Sequence, residues 1–165
     1  MKIVYVIISI LSLLIIACKE NKAPKASMPE KPAEKSSEHR CANCGMYTGK
    51  QPNWEEKIIS DDKGILYFDG PRCMFKILLD PETTPKSIDE IQVKDYYSLQ
   101  YIDGKRAFYV IGSDVLGPMG NELVPFRTLT AAEDFSKDHK GKKILTFDEV
   151  TMDLIIKLAG KMEMK

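Results

Sequence analysis

The chain lacks an excess of charge of either sign: 24 Lys and Arg residues balance 24 Asp and Glu. With no net charge and no basic stripe, it lacks the electrostatic footprint of a nucleic-acid binder. Histidine is scarce, with two in 165 residues. His139 falls near the end of an expected helix, where a cation is favourable, and that is a sufficient structural reason for it. His39 adjoins a cysteine pair but lies in a polar segment. No phosphate loop and no dinucleotide fingerprint occurs. Ser113-Asp114 has no histidine beside it in the sequence, so no nucleophile-and-base set presents itself. Asp61, Asp62 and Asp69 fall at turn and cap positions that local structure explains. Cysteines number four and include one close pair, not two, which leaves a tetrahedral zinc site short of an obvious ligand set.

One long apolar run is present, and it stands at the start. Lys2 supplies a positive charge, Ile3 to Ile16 is almost wholly apolar, and Ala17 precedes Cys18. A charged start, an apolar core and a small residue before the cut are the layout of a secretory signal. The run is short for a membrane helix, which needs about 20 residues. Ile15-Ile16-Ala17-Cys18 resembles a bacterial lipobox, in which the cysteine is acylated and becomes the first residue of the mature protein. Residues 1–17 are thus expected to be a lipoprotein signal peptide, and residues 18–40 the lipidated Cys18 with a flexible linker. From Lys19 to Arg40 the linker has one large apolar residue, Met28. Such a composition cannot bury enough surface to offset its ordering entropy. From Cys41 to Lys165 the chain is long enough for a core that needs neither metal nor disulfide, which leaves its sulfur residues free for function.

Cys41-Ala-Asn-Cys44-Gly-Met46 places three sulfur side chains within six residues. Thiolates and thioethers are soft ligands that select Cu(I), with zinc and iron–sulfur as competitors, and Met46 tilts the balance toward copper. The bland alternative is a loop with a disulfide and a buried methionine. Gly45, Gly49 and Pro52 disfavour the helix start that a thioredoxin-type Cys-x-x-Cys requires. Zinc would have to collect Cys41, Cys44, Cys73 and His39. Cys73-Met74 lies just inside a helix start, where a thiol pKa is lowered, so Cys73 is a ligand, a resolving thiol or a core residue. Met74 is expected in the core. Gly117-Pro118-Met119-Gly120 demands a turn, which exposes the Met119 thioether unless it folds back onto the core. Exposure makes sense if the thioether binds a soft metal or a partner.

Turn chemistry and periodicity give the element order. Trp54 to Ser60 and Ile65 to Phe68 read as a hairpin about Asp61-Asp62-Lys63-Gly64. Helices are expected from Pro71 to Leu79, from a Thr130 cap to about His139, and from Asp148 to near Gly160. Further strands are expected at Tyr96 to Ile102, Arg106 to Ile111, Leu123 to Phe126 and Lys143 to Phe147, with a hairpin turn at Asp103-Gly104 and a loop from Gly112 to Asn121. The pattern is strand-strand-helix-strand, twice, plus a terminal helix. It implies an α+β fold of two small lobes, residues 41–103 carrying Cys-x-x-Cys-Gly-Met and residues 104–165 carrying Gly-Pro-Met-Gly.

These pieces together resemble the NosL family of copper-binding lipoproteins that assist maturation of nitrous oxide reductase. The matching residues are the lipobox ending at Cys18, Cys41-Ala-Asn-Cys44-Gly-Met46, Tyr67-Phe68-Asp69-Gly70 with Cys73-Met74, Phe108-Tyr109-Val110, Gly117-Pro118-Met119-Gly120, Leu123-Val124-Pro125-Phe126 and Phe147-Asp148-Glu149. The resemblance implies paired strand-strand-helix-strand lobes, related in fold to the organomercury lyase. It further implies a non-enzymatic periplasmic carrier that binds Cu(I) and delivers it to the copper–sulfide centre of nitrous oxide reductase or to another copper protein. Cys44, Met46 and Met119 fall on the family's motifs, with Cys41 and Cys73 as further candidate ligands. Competing readings are a thiol-disulfide or lyase-type enzyme and a structural lipoprotein with a Cys41–Cys44 disulfide. Sulfur donors favour Cu(I) over Zn(II), whose ligand count is short. Mass spectrometry of the native amino terminus should find an acylated Cys18; an unmodified Met1 in membrane-extracted protein would refute the lipobox.

Overall fold

The structure, a computed structural model, describes residues 38–160. The signal segment, Cys18 and the linker up to residue 37 lie outside the described residues. Among the described residues, seven strands and three α-helices follow one another as β1 (Glu56–Ser60), β2 (Gly64–Phe68), α1 (Pro71–Leu78), β3 (Glu90–Lys94), β4 (Tyr101–Asp103), β5 (Phe108–Gly117), β6 (Gly120–Phe126), α2 (Leu129–Asp138), β7 (Lys143–Leu145) and α3 (Met152–Gly160). All strand pairs are antiparallel. One sheet has the order β2-β1-β3-β4 and the other β6-β5-β7. In each, a hairpin is followed by a helix and a strand that returns beside the first strand of the hairpin. The α+β pattern of two strand-strand-helix-strand units and a terminal helix is therefore present, with β4 added to the first unit.

The two units share apolar cover. One core cluster takes Ile58, Phe68, Phe75, Ile91 and Val93 from the first unit and Tyr109, Leu123, Leu145, Ile155 and Leu158 from the rest of the chain. Phe75 on α1 meets Tyr109 edge-on at 5.2 Å and Phe147 at 5.1 Å, so it joins the two halves. Alternation along β5 and β6 sends Val110, Val124 and Phe126 to the other side, where they pack with Ala132 and Phe135 of α2. The second sheet is thus covered on both faces. Met74 is fully buried, as its helical spacing predicts.

Several expected elements differ in place. The strand expected at Tyr96 to Ile102 begins only at Tyr101, because Asp95 captures the chain: its carboxylate accepts from Ser98 N at 2.8 Å, Ser98 Oγ at 2.7 Å and Arg127 N at 2.8 Å. A short acidic side chain that satisfies nearby backbone donors competes with strand pairing. Leu99 completes that turn in the left-handed region at φ 57. The preceding β3 carried no recognised sequence signal. Asp103-Gly104 is no hairpin turn, since β4 and β5 belong to different sheets. A 3-10 turn at Gly104–Arg106 joins them, and a side chain at Gly104 would stand 2.6 Å from Ile91. The loop expected from Gly112 to Asn121 is mostly paired: β5 and β6 run on to Gly117 and Gly120, past a bulge between Ile111 and Leu116. Thr128, not Thr130, caps α2, accepting from Ala131 N at 3.2 Å. Thr146 and Glu149 form a capping box around a 3-10 turn, and α3 starts later than the expected Asp148 cap. Among the described residues no helix is long and apolar enough to cross a membrane.

Because Phe75 packs against both halves, Phe75→Ala should cost about 3–5 kcal/mol, as large aromatic truncations in cores do. Urea denaturation followed by circular dichroism should show that loss in a single transition; two separable transitions would contradict the shared core.

Candidate metal centre

The cysteine loop closes on itself before it reaches the sheet. Arg40 and Tyr47 form an antiparallel bridge, and the Arg40 guanidinium lies 4.1 Å from the Tyr47 ring centre. Gly45, at φ 78, turns the chain back. Cys41 N can then donate to Met46 O at 2.8 Å, and Gly45 N to Cys41 O at 2.9 Å. Any other residue at Gly45 would adopt that φ at a steric cost. The loop docks on the end of β2, where Ala42 N donates to Tyr67 O at 2.8 Å and Cys41 bridges Tyr67 in parallel. Docking there puts Cys41 beside the corner Asp69-Gly70 that leads into α1. Pro71 opens the helix, and its fixed φ suits that position. Cys73 follows two residues on.

Four side chains converge at this corner. The sulfurs of Cys41, Cys44 and Cys73 and a carboxyl oxygen of Asp69 all lie within 4.8 Å of one another. Cys41, Cys73 and Asp69 are buried and Cys44 is exposed. All three cysteines are free. Cys44 Sγ donates to Asp69 Oδ2 at 3.3 Å, and Asn43 Nδ2 donates to Cys73 Sγ at 3.2 Å. The Cys41 thiol is lowered to about 6, first because Cys73 donates to its sulfur and despite burial. The Cys73 thiol is raised far above its ordinary range by that same bond and by burial. Cys44 is open as a residue, yet its sulfur loses hydration against its neighbours, and its pKa is raised to about 11, with Cys41 and Asp69 adding to the effect. Asp69 escaped the sequence reading, which placed it in a turn. Only its position next to the docked cysteine loop reveals it.

The other sequence candidates are placed less closely. Met46 lies in the loop and is 39% exposed, with its carbonyl tied to Cys41. Met119 is half-buried against the core cluster that includes Cys41 and Cys73. Its turn is tied to the centre through Arg72, whose guanidinium donates to Met119 O. His39, the residue that would have completed a zinc set, is not among the four. It stacks on Tyr67 at 3.5 Å and lies 3.6 Å from Glu55. Asp114 does meet a histidine, His139, at 3.1 Å, but the Ser113 hydroxyl donates to Val115 O, so no serine triad forms.

A buried carboxylate holds the Met119 turn against the helix start. Glu122 Oε1 accepts from Arg72 N at 2.7 Å and from Leu123 N at 3.0 Å. Its side chain fills the gap between two glycines: a Cβ would stand 2.7 Å from it at Gly70 and 2.8 Å at Gly117. Burial pushes the Glu122 carboxyl up to about 7, against the pull of Leu123 N and Arg72.

Comparison with known proteins bears on this corner. The sequence profile of the NosL family matches residues 32–155. A crystal structure of the copper chaperone NosL from Shewanella denitrificans superposes with a TM-score of 0.64 at 28% identity, over 72% of this chain and 93% of that one. No curated protein matches the chain.

A carboxyl whose folded pKa is raised keeps its stabilising contribution below the unfolded value and loses it as pH rises through the folded value. Glu122 should therefore make the fold less stable as pH rises from 4.5 to about 7. Glu122→Gln keeps the acceptor for Arg72 N and should flatten that part of the profile. Urea midpoints at intervals between pH 4 and pH 8 check this, and an unchanged slope in the variant would assign the pH dependence elsewhere.

Proposed function

From the premise that the chain belongs to the NosL family, we propose that it is a copper metallochaperone that carries Cu(I) on its sulfur side chains. The observation that carries this reading is the convergence of Cys41, Cys44 and Cys73 within 4.8 Å on one corner of the fold. Soft thiolates select Cu(I). The named copper chaperone of like fold supports the same cargo. In this reading Cys44, Met46 and Met119 are the principal ligands, and Cys41 and Cys73 complete the sulfur set. Cys41 brings a charge already in place, whereas loading at Cys44 displaces a proton, because that thiol is raised to about 11. Exposed Cys44 and Met46 form the side from which a recipient can approach, and buried Cys41 and Cys73 the side that retains the ion. Neutral thioethers add softness without adding charge, which suits a cargo that must leave again.

The proposal extends to the setting. Acylated Cys18 would hold the carrier at a bacterial membrane facing the periplasm, and the copper–sulfide centre of nitrous oxide reductase, or another periplasmic copper protein, would receive the ion. No step requires turnover of a substrate by the chain itself.

Reduced protein titrated anaerobically with Cu(I) against a competing chelator should bind one ion per chain. Cys44→Ser should abolish tight binding, while Met46→Leu and Met119→Leu each weaken it by a smaller factor with the fold retained, since Leu for Met costs under about 1.5 kcal/mol even in a core. In cells that make nitrous oxide reductase, Cys44→Ser should lower the copper content of the reductase without lowering its abundance. Absence of Cu(I) binding by the reduced wild-type chain would defeat the proposal.

A further inference from the structure

Between the last helix and the second sheet lies a groove of about 410 Å³ that the copper reading does not use. Its floor is apolar, built from Ile111 of β5 and from Leu154 and Leu158 of α3. The two leucines stand four residues apart on one side of the helix, with Lys157 beside them. Lys142 forms the other rim. Its backbone N donates to Ile111 O at 2.9 Å. Its alkyl stem lies across Gly112, where a Cβ would stand 2.9 Å from Cγ and Cδ. At the end of the groove, a Cβ on Gly160 would meet nothing within 4 Å, so that end is open. The residues lining the groove include two ammonium groups and no carboxylate. Neighbouring lysines are paired: Lys137 with Asp134, Lys140 with Asp114 and Lys143 with Glu149. Neither Lys142 nor Lys157 forms an ion pair with a described residue, although Asp153 stands one turn before Lys157. Two like charges beside one apolar surface attract an anion whose body is itself apolar. An anionic phospholipid has that chemistry, with acyl chain for the floor and phosphate for the rims. A protein partner fits less well. Seven residues line the groove, against about 20–30 on each side of a stable protein interface. A bilayer to which the chain is already tied needs no such area, because tethering makes the second contact intramolecular.

We propose that this groove docks the domain on an anionic phospholipid bilayer. A lipid phosphate sits between Lys142 and Lys157, and the upper part of an acyl chain lies on Leu154 and Leu158. Docking of this kind turns a tethered domain into one with a fixed orientation at the membrane. The proposal rests on the Cys18 lipobox reading only for bringing the domain to a bilayer, and it does not depend on the cargo.

The test inserts the full chain, produced as a lipoprotein, from outside into preformed phosphatidylcholine vesicles with or without phosphatidylglycerol. A membrane-impermeant acetylating reagent then modifies the lysines, and peptide mass spectrometry reads each one. Lys142 and Lys157 should react more slowly when phosphatidylglycerol is present, and high salt should remove that protection. Lys57 and Lys94, which lie over Tyr101 on the first sheet, should react alike in both lipids. Lys142→Gln should cut the docked-to-free ratio read at Lys157 about fivefold, and Lys157→Gln the ratio read at Lys142, the factor that about 1 kcal/mol per lysine near an anionic surface corresponds to. Ile156 is 60% exposed but stands about 200° around the helix from Leu154, so Ile156→Ser should leave the protection unchanged. The wild-type comparison of the two lipids needs no variant, so a substitution that unfolds the chain leaves the test standing. Equal reactivity of Lys142 and Lys157 in both lipids would overturn the inference, and so would equal protection of Lys57 and Lys94. Protection in phosphatidylcholine alone that grows with protein density would assign the groove to a second copy of the chain and overturn it too. An unmodified Cys18 in the same spectra would defeat the lipobox alone, since the lysine pattern of vesicle-bound protein still decides the groove.

Discussion

The Glu122 carboxylate is the contact on which the metal corner depends. It reaches from β6 to the first turn of α1, accepts from Arg72 N and Leu123 N, and occupies space that only glycine leaves open at Gly70 and Gly117. Through it the hairpin that carries Met119 and the helix that carries Cys73 are fixed to each other. Arg72 closes the same link from the other side by donating to Met119 O. Two elements far apart in the chain are thereby held in one geometry, which a site built from both of them requires. Burying a carboxylate is unfavourable unless it finds donors, and here Oε1 takes both backbone amides at the junction itself while Oε2 is buried without a partner.

Around that link, the chemistry of the corner follows from how three sulfurs share protons. Close packing sets the three pKa values against one another, because each negative charge in the same small space raises the pKa of the next sulfur. The bond between Cys73 and Cys41 lowers Cys41 and raises Cys73. The most acidic of the three sulfurs is therefore a buried one, whereas the exposed sulfur of Cys44 is raised.

The rest of the fold supplies rigidity. Both faces of the second sheet are covered, one by the core shared with α1 and α3 and the other by Phe135 and its neighbours on α2. Such double cover leaves little freedom at the root of β5 and β6, from which the Met119 turn projects. On the opposite side, the cysteine loop has no helix or sheet of its own. It gains its shape from the Gly45 turn and from Tyr67 O on β2.

What the sequence determined by itself was local. The hairpin about Asp61 to Gly64, the helix opened by Pro71, the buried Met74 and the strand-strand-helix-strand order all follow from turn chemistry and from periods of 2 and 3.6, which act between neighbours. The sulfur pair and the Met119 turn were legible for the same reason. Other features depended on distant partners. Asp95 pulls Ser98 and Arg127 onto its carboxylate and shortens the strand expected there, and a bulge lets β5 and β6 run on where glycine suggested a loop. Asp69 looked like a turn residue because nothing in its own segment marks it. It became a candidate ligand only when the loop at Cys41 docked on Tyr67 and Cys73 came round the helix start. His39, adjacent to the cysteines in sequence, was turned away onto Tyr67. Short-range rules name the donors that a chain owns; the folded packing of segments tens of residues apart decides which of them face the same point in space.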